Sequence, residues 1–289
     1  MRPRGLPESC SCLTPLYRGA LFAIDDWRCA GHDTPRHSEE WCRDDRIVVT
    51  RRGAWELEIA GSARLADPMH VTLWNRNSHY RVRHPVPGGD ECTVFRLTAL
   101  GEQALREGSP SRNAPGSGPT FTDRLRPIDG RSYLLHRRVL ERARQAHSAA
   151  DPMAVEEPAL AFLDLMAGES TSHARADPER GLSRYVDRAC DIIASDFMKR
   201  LTVESIARGA QCSPFHLSRL FRRATGLTLH RAVVRMRLRS GLERLLDEPA
   251  NVARIALESG FASHSHFADA FRAEYGCSPS EARNLRDGW

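Results

Sequence analysis

Apolar residues along the first hundred positions come in short runs and alternations, whereas along the last hundred they recur every three or four residues. The chain therefore predicts strands in front and helices behind. Ile47-Val48-Val49-Thr50, a turn at Arg51-Arg52-Gly53, and Trp55, Leu57 and Ile59 alternating with Glu56 and Glu58 predict strand, turn, strand, after which Ala60-Gly61-Ser62 turns the chain again. An apolar run from Leu16 to Ala23 predicts an earlier strand. His70-Val71-Thr72-Leu73-Trp74 and Cys92-Thr93-Val94-Phe95-Arg96-Leu97 predict later ones, separated by Tyr80 to Asp90 with its two prolines and two glycines. Trp27 to Arg46, polar and bearing His and Cys, reads as a long loop or short strands. Many short strands at such spacing indicate an antiparallel barrel or sandwich. Residues 1–15 show no period and read as a loose tail, so the barrel is expected over 16–107.

Residues 108–119, rich in Ser, Gly and Pro, predict a flexible loop. Leu134 to Ala146 and Ala159 to Met166 then carry helical apolar spacing, with Asp151-Pro152 as a start signal between them. This helical part, 120–167, either provides the face of a homodimer or packs on the barrel. Residues 168–180 read as a linker to the last segment, 181–289.

In that segment one pattern appears twice. Val203, Ile206 and Ala207 mark one face of a short helix and Ala210-Gln211-Cys212 a tight turn. Ser213 is then an N-cap, Pro214 a first helical residue, Leu217, Leu220 and Phe221 a buried stripe, and Gly226 a terminator. Val252, Ile255 and Ala256, a turn at Gly260-Phe261, Ser263 as N-cap, buried Phe267 and Phe271, and Gly276 repeat it. Ser213, Leu217 and Phe221 map onto Ser263, Phe267 and Phe271 at a constant offset of 50, while the turns differ by one residue. A short helix, a turn and a capped helix with a polar outer face make a helix-turn-helix, suited to placing its second helix in a major groove. One copy alone is equally an ordinary helical hairpin; two similar copies favour the DNA reading.

The residues that carry the repeat also carry a resemblance. Ile206-Ala207, Ser213, Leu217-Ser218-Arg219-Leu220-Phe221-Arg222, Gly226, Arg237-Leu238, Leu245-Leu246, Ile255-Ala256, Gly260-Phe261, Ser265, Phe267, Phe271-Arg272, Gly276 and Ser278-Pro279 resemble the DNA-binding domain of the AraC/XylS family of transcription regulators. The resemblance implies a seven-helix unit with two recognition helices joined by a linker helix at about Leu229 to Asp247. It also implies double-stranded DNA and RNA polymerase as partners, and an effector that alters activation. Three residues depart from that pattern. Asp269 stands where the family usually has a basic residue, and a carboxylate there can accept from a cytosine amino group but cannot bond guanine or phosphate. Gly241 sits inside the linker helix where the family prefers Ala, at a cost of about 1 kcal/mol, and Ala232 replaces a usual aromatic.

On this reading Ser213 and Ser263 cap helices whose N-terminal N–H groups favour phosphate. Phe215, Ser218 and Arg219 in the first recognition helix, with His264, His266 and Asp269 in the second, are the candidates for base edges. Arg222, Arg223, Arg235, Arg239 and Arg272 are the candidates for the DNA backbone. The net charge of +5 agrees with this placement: residues 181–289 hold 17 Lys+Arg against 12 Asp+Glu, and the remainder 25 of each. All basic residues but Lys199 are arginines in both halves, so that bias carries no functional weight.

The front half also resembles, through the turn at Gly53, the strand Ala54 to Ile59 and the run from Asp67-Pro68 to His79, the cupin-like sensor domain that often precedes such DNA-binding units. Its metal signature is incomplete: His32 and His37 are five apart, Arg46 stands about where a ligand Glu is expected, and His79 alone fits its place. Cys29 and His32, with His84 and Cys92, suit zinc or another thiophilic ion if the fold joins them, with Cys42 as a substitute; otherwise the cysteines are buried strand residues. Oxidation of Cys29 or Cys92 is a third reading. Trp55, Trp74, Tyr80, Phe95 and Leu97 either line a small-molecule pocket or form core.

The eight cysteines, in a chain whose Met1-Arg2-Pro3-Arg4 is not followed by an apolar signal core, are expected as thiols. Cys190, Cys212 and Cys277 are expected in the core. No apolar run approaches a membrane span, so a cytoplasmic location without membrane contact is expected. The fold expected is α+β in two domains, a cupin-like barrel with following helices and an all-α double helix-turn-helix. The function expected is a sequence-specific DNA-binding regulator, not an enzyme, whose front domain senses a small ligand, a metal ion or a redox signal. The alternative is a cupin-type metal-dependent enzyme with a centre from His32, His37, Glu39, Glu40 and His79.

Overall fold

Alternating side chains in the front half build two antiparallel sheets, and the three- to four-residue periods of the back half build a set of short capped helices. The computed structural model describes residues 11–31, 40–59, 62–84, 88–107, 119–146, 151–168 and 180–284. The chain divides into two compact units, Met1–Glu169 and Ser170–Trp289, which makes it α+β in two domains. No helix among the described residues is long and apolar enough to cross a membrane.

The front unit runs β1 (Ser11–Arg18), β2 (Phe22–Cys29), β3 (Glu40–Trp41), β4 (Arg46–Gly53), β5 (Trp55–Ile59), β6 (Ser62–Ala66), β7 (His70–Trp74), β8 (His79–Arg83), β9 (Asp90–Leu97), α1 (Ala99–Glu107), β10 (Leu125–Pro127), α2 (Gly130–Gln145) and α3 (Met153–Ala167). One sheet has six strands in the order β1-β2-β9-β4-β7-β10, the other four in the order β3-β8-β5-β6. The chain passes from the first sheet to the second at Ala54. Gly53, at φ 72°, makes that step, and any side chain there would meet the Gly89 carbonyl oxygen 1.9 Å from its Cβ.

β9 explains how the layers are stacked. Cys92 and Val94 pack with Val48 and Trp74 against Trp55, Leu57 and Ala66 of the other sheet. Thr93 and Phe95 point the opposite way, where the His136 ring of α2 lies 2.8 Å from the Thr93 hydroxyl and Phe162 of α3 packs on Phe95 with ring centroids 5.2 Å apart. Cys92 to Phe95 are accordingly all buried, without the alternation of a half-exposed strand, and Thr93 is accommodated by its bond to His136.

The strands differ from the expected ones in three places. The single strand expected over Leu16–Ala23 spans a turn, because Gly19 N–H bonds the Phe22 carbonyl at 3.0 Å and divides it between β1 and β2. Residues 11–15, expected in a loose tail, are the first part of β1 and are held by pairing from Ser11↔Cys29 to Pro15↔Asp25. Part of the expected Tyr80–Asp90 connection is strand β8, whose burial alternates as a half-exposed strand should. The tail residues 1–10 and most of the Ser/Gly/Pro loop, 108–118, lie outside the described residues, as does the linker stretch 169–179.

The back unit has seven helices among the described residues: α4 (Arg180–Asp196), α5 (Val203–Gly209), α6 (Pro214–Thr225), α7 (Leu229–Asp247), α8 (Val252–Glu258), α9 (His264–Tyr275) and α10 (Pro279–Arg283). Each of α5 to α10 begins at a Thr, Ser or Asn whose side chain accepts a backbone N–H of the first turn. α7 is the centre. Leu229, Ala232, Val233, Met236, Leu238, Leu242, Leu245 and Leu246 are buried around most of its circumference. Its Arg237 donates from Nε to the Phe197 carbonyl at 2.8 Å, from Nη2 to Lys199 at 2.9 Å and from Nη1 to Gly260 at 2.9 Å. One guanidinium thereby ties the end of α4 to the turn between α8 and α9.

Gly241 has a packing reason. A Cβ there would lie 2.8 Å from Phe267 Cε2 and 3.3 Å from Ser259 Oγ, so the missing side chain lets α9 seat against α7. Overpacking costs about 1–3 kcal/mol, against a helix-propensity gain of about 1 kcal/mol from Gly to Ala. Gly241→Ala is therefore expected to lower the urea midpoint of the back unit's transition; a rise would show that Phe267 moves aside freely. Arg237→Met strands three carbonyls, and since a hydrogen bond to a charged group contributes about 1.5–3 kcal/mol, a loss of at least ~2 kcal/mol is expected in the same measurement.

Candidate nucleic-acid interface

The two copies of the sequence pattern fold alike. Cys212 N–H bonds the Ala207 carbonyl at 2.9 Å after α5, and Phe261 N–H bonds the Ala256 carbonyl at 3.0 Å after α8. Gln211 at φ 57° and Gly260 at φ 81° occupy the same left-handed position of the two turns. Ala262 is the extra residue that changes the offset. Ser213 then accepts from His216 N–H at 3.3 Å and Ser263 from His266 N–H at 3.2 Å, which starts α6 and α9. Leu217, Leu220 and Phe221 bury one side of α6. Phe267, Phe271 and Tyr275 bury one side of α9 as a chain of rings 5.4 Å and 4.4 Å apart.

Opposite those stripes stand the expected base-facing residues. Phe215, Ser218 and Arg219 on α6, and His264, His266 and Asp269 on α9, are all exposed. Phe215 is 93% exposed, an unusual place for a phenyl ring. Arg219 Nη2 lies 3.5 Å from His216 Nδ1, and the His266 ring meets the Phe261 ring edge-on at 5.4 Å. Ser213, Ser263, Arg222, Arg223 and Arg272 are exposed as well.

Two of the expected backbone contacts are turned inward. Arg239 is 1% exposed, with its guanidinium over the Tyr275 ring at 5.5 Å. Arg235 Nε is 2.8 Å from Glu274 Oε1, a carboxylate with a 4% exposed side chain that Arg231 also reaches at 3.5 Å. Residues 231, 235 and 239 lie one turn apart on the side of α7 that meets α9, so their charge is used between helices. Burial pushes the Tyr275 hydroxyl up to about 12, with Arg239 opposing. The four-residue spacing was visible in the sequence, but the acceptor in α9 was not.

In the front unit Trp55 and Trp74 stack at 6.1 Å and Trp74 meets Tyr80 edge-on at 4.4 Å, all in the layer between the sheets. Phe95, expected with them, belongs to the opposite face of β9, against α2 and α3; Leu97 is buried. Cys190, Cys212 and Cys277 are half-buried rather than core, and the described cysteines are thiols.

Of the expected thiophilic set, Cys29 and His84 come together, and Asp90, which the sequence reading missed, completes a group whose donor atoms lie within 4.8 Å of one another. Cys92 is adjacent, its Sγ donating to the second Asp90 oxygen at 3.2 Å. His84 Nε2 is 2.6 Å from Asp90 Oδ1. Its pKa is raised to about 10, first by that bond and then by one with Cys29. Burial holds the Cys92 thiol well above its usual range. Cys42 is buried in the layer between the sheets and is not part of the group, and His32 lies outside the described residues. Of the enzyme-type set, His32, His37 and Glu39 lie outside them too, while Glu40 accepts the Tyr80 hydroxyl at 2.9 Å.

Residues 206–285 match the family described as a helix-turn-helix domain. The bifunctional transcriptional activator/DNA repair enzyme AdaA of Bacillus subtilis is 28% identical over 103 residues, covering 36% of this chain and 49% of that protein. The transcriptional activator RhaS of Escherichia fergusonii is 28% identical over 160 residues, covering 55% and 57%. The chain thus spans about half the length of the curated relatives it matches. Among solved structures, the C-terminal domain of AraT from Geobacillus stearothermophilus is 31% identical, covering 36% of this chain and 88% of that one at a TM-score of 0.35. With two capped helix-turn-helix units around one central helix, the back unit of this chain is an AraC-type DNA-binding domain of the kind that transcription regulators carry.

Proposed function

We propose that α6 and α9 enter successive major grooves on one side of a duplex and read two half-sites, and that the front unit adjusts transcription in response to a small ligand, a metal ion or a redox signal. The observation that carries this reading is the exposure of every expected base-facing side chain on the outer faces of α6 and α9, with Phe215 extended into solvent. A phenyl at that place suits a thymine methyl, and Arg219 one turn on suits guanine. Ser213 and Ser263 leave the helix N-termini open to phosphate.

The two helices divide the work unequally. α6 presents Arg219, Arg222 and Arg223, whereas α9 presents Arg272 against Asp269. Most of the electrostatic affinity therefore comes from the first half-site, and the second contributes selectivity through His264, His266 and the acceptor Asp269. RNA polymerase is the partner implied for activation, and α3, which exposes Met153, Leu160 and Leu165, fits a homodimer face. The facing sheets suit a cupin-like sensor in which an effector enters beside Trp55, Trp74 and Tyr80.

In gel-shift titrations against a selected operator, Arg219→Ala is expected to lose about 1–3 kcal/mol of discrimination at one half-site while sparing binding to random DNA. Equal losses on all sequences would make Arg219 a phosphate clamp. The dependence of log K on log salt separates the arginines further: Arg222→Ala and Arg223→Ala should each lower the slope by about 1, and Arg239→Ala should leave it unchanged while destabilising the fold. A slope that falls for Arg239→Ala would reverse the assignment.

A further inference from the structure

Three segments far apart in sequence bring one donor each to the same point of the front unit: Cys29 at the end of β2, His84 just past β8, and Asp90 at the start of β9. Cys29 and Asp90 are register partners in the six-stranded sheet, while β8 belongs to the four-stranded one. The backbone there is packed as closely as glycine permits. A Cβ on Gly89 would lie 1.9 Å from the Cys29 carbonyl oxygen, and one on Gly31 would lie 2.4 Å from Gly89 N. The strand ends that hold the thiol and the carboxylate are thereby fixed against each other, which is how a rigid ligand set is built.

We propose that Cys29, His84 and Asp90 form a binding site for a thiophilic divalent ion of the zinc type, with Cys92 beside it. His84 bonds both Asp90 and Cys29, so the three side chains already converge on one point, and that convergence is the geometry an ion needs. Thiolate, imidazole and carboxylate together are the donor set of a borderline-soft ion; magnesium and calcium take oxygen ligands instead. As ligands, Cys29 and Asp90 carry two negative charges, which match a divalent cation in a half-buried place. Three protein ligands leave a fourth tetrahedral position for water or for Cys92 Sγ, 3.2 Å from Asp90 Oδ2. A bound ion would join β8 of one sheet to β2 and β9 of the other.

This names one of the signals proposed above for the front unit, and its test reads the ion itself, so failure of the DNA reading would leave it standing. The full-length protein, stripped with chelator, is titrated with zinc in competition with a chromophoric chelator, and separately with cobalt(II). The wild type is expected to bind one equivalent of zinc and to show a thiolate-to-cobalt charge-transfer band. Cys29→Ser should weaken that band and the double variant Cys29→Ser, Cys92→Ser abolish it, and Cys29→Ser, His84→Gln and Asp90→Asn should each weaken zinc binding at least ~10-fold. Cys12→Ser, exposed and outside the group, should match the wild type. Thermal melts guard against misfolding: zinc should raise the wild-type midpoint more than that of Cys29→Ser, which exchanges only sulfur for oxygen and should match the wild type without zinc. Equal zinc affinity in wild type and Cys29→Ser, or a cobalt complex without the thiolate band, would overturn the proposal.

Discussion

For α6 and α9 to read one duplex, as proposed above, the distance and angle between them must be held, and that constraint falls on α7. A helix buried around most of its girth cannot roll or slide without losing contacts on several sides at once. Arg237 adds a polar lock, because its guanidinium satisfies carbonyls at the end of α4 and at the turn before α9 with three separate donors. Burial makes that charge costly, and the three carbonyls are what offset it. Gly241 serves the same constraint from the apolar side, since it allows the Phe267 ring to approach the α7 backbone.

Arginine serves two opposite purposes in this chain, and total charge does not separate them. Arg51, Arg137 and Arg239 are among the largest fully buried side chains, and Arg51 is paired with Asp26. Arg219, Arg222 and Arg223 on α6 stand in solvent. Only the second kind can release counterions from DNA. A net charge of +5 thus says little about affinity; on the proposed reading it is the exposed charge on α6 that sets it.

Local signals were the legible ones. The caps at Ser213 and Ser263 and the terminators Gly226 and Gly276 depend on residues within a turn or two of each other, and the sequence displays them directly, whereas the bounds of α7 came with the family resemblance. What the sequence hid depends on distant pairing. The β1–β2 turn at Gly19 lay inside an apolar run, and β8 among prolines and glycines. The inward turn of Arg235 and Arg239 needed Glu274 and Tyr275, some forty residues away. Asp90 needed the Cys29↔Asp90 register.

The front unit's tightest corner invites the same physical reading as α7. Gly31, Gly53 and Gly89 all adopt positive φ there, and each would strike backbone if it carried a Cβ. Glycine in place of a residue with a side chain loses more chain entropy on folding, so three at one corner need a compensating gain. Closure of the corner alone supplies contacts among carbonyls and amides, which other turns make with less constraint. What these glycines add is position: Cys29 and Asp90 sit on strand ends packed backbone to backbone, and His84 meets them from the end of β8. Local rules are broken most densely where a site is built, and the corner that carries the proposed ion ligands is where this unit breaks them.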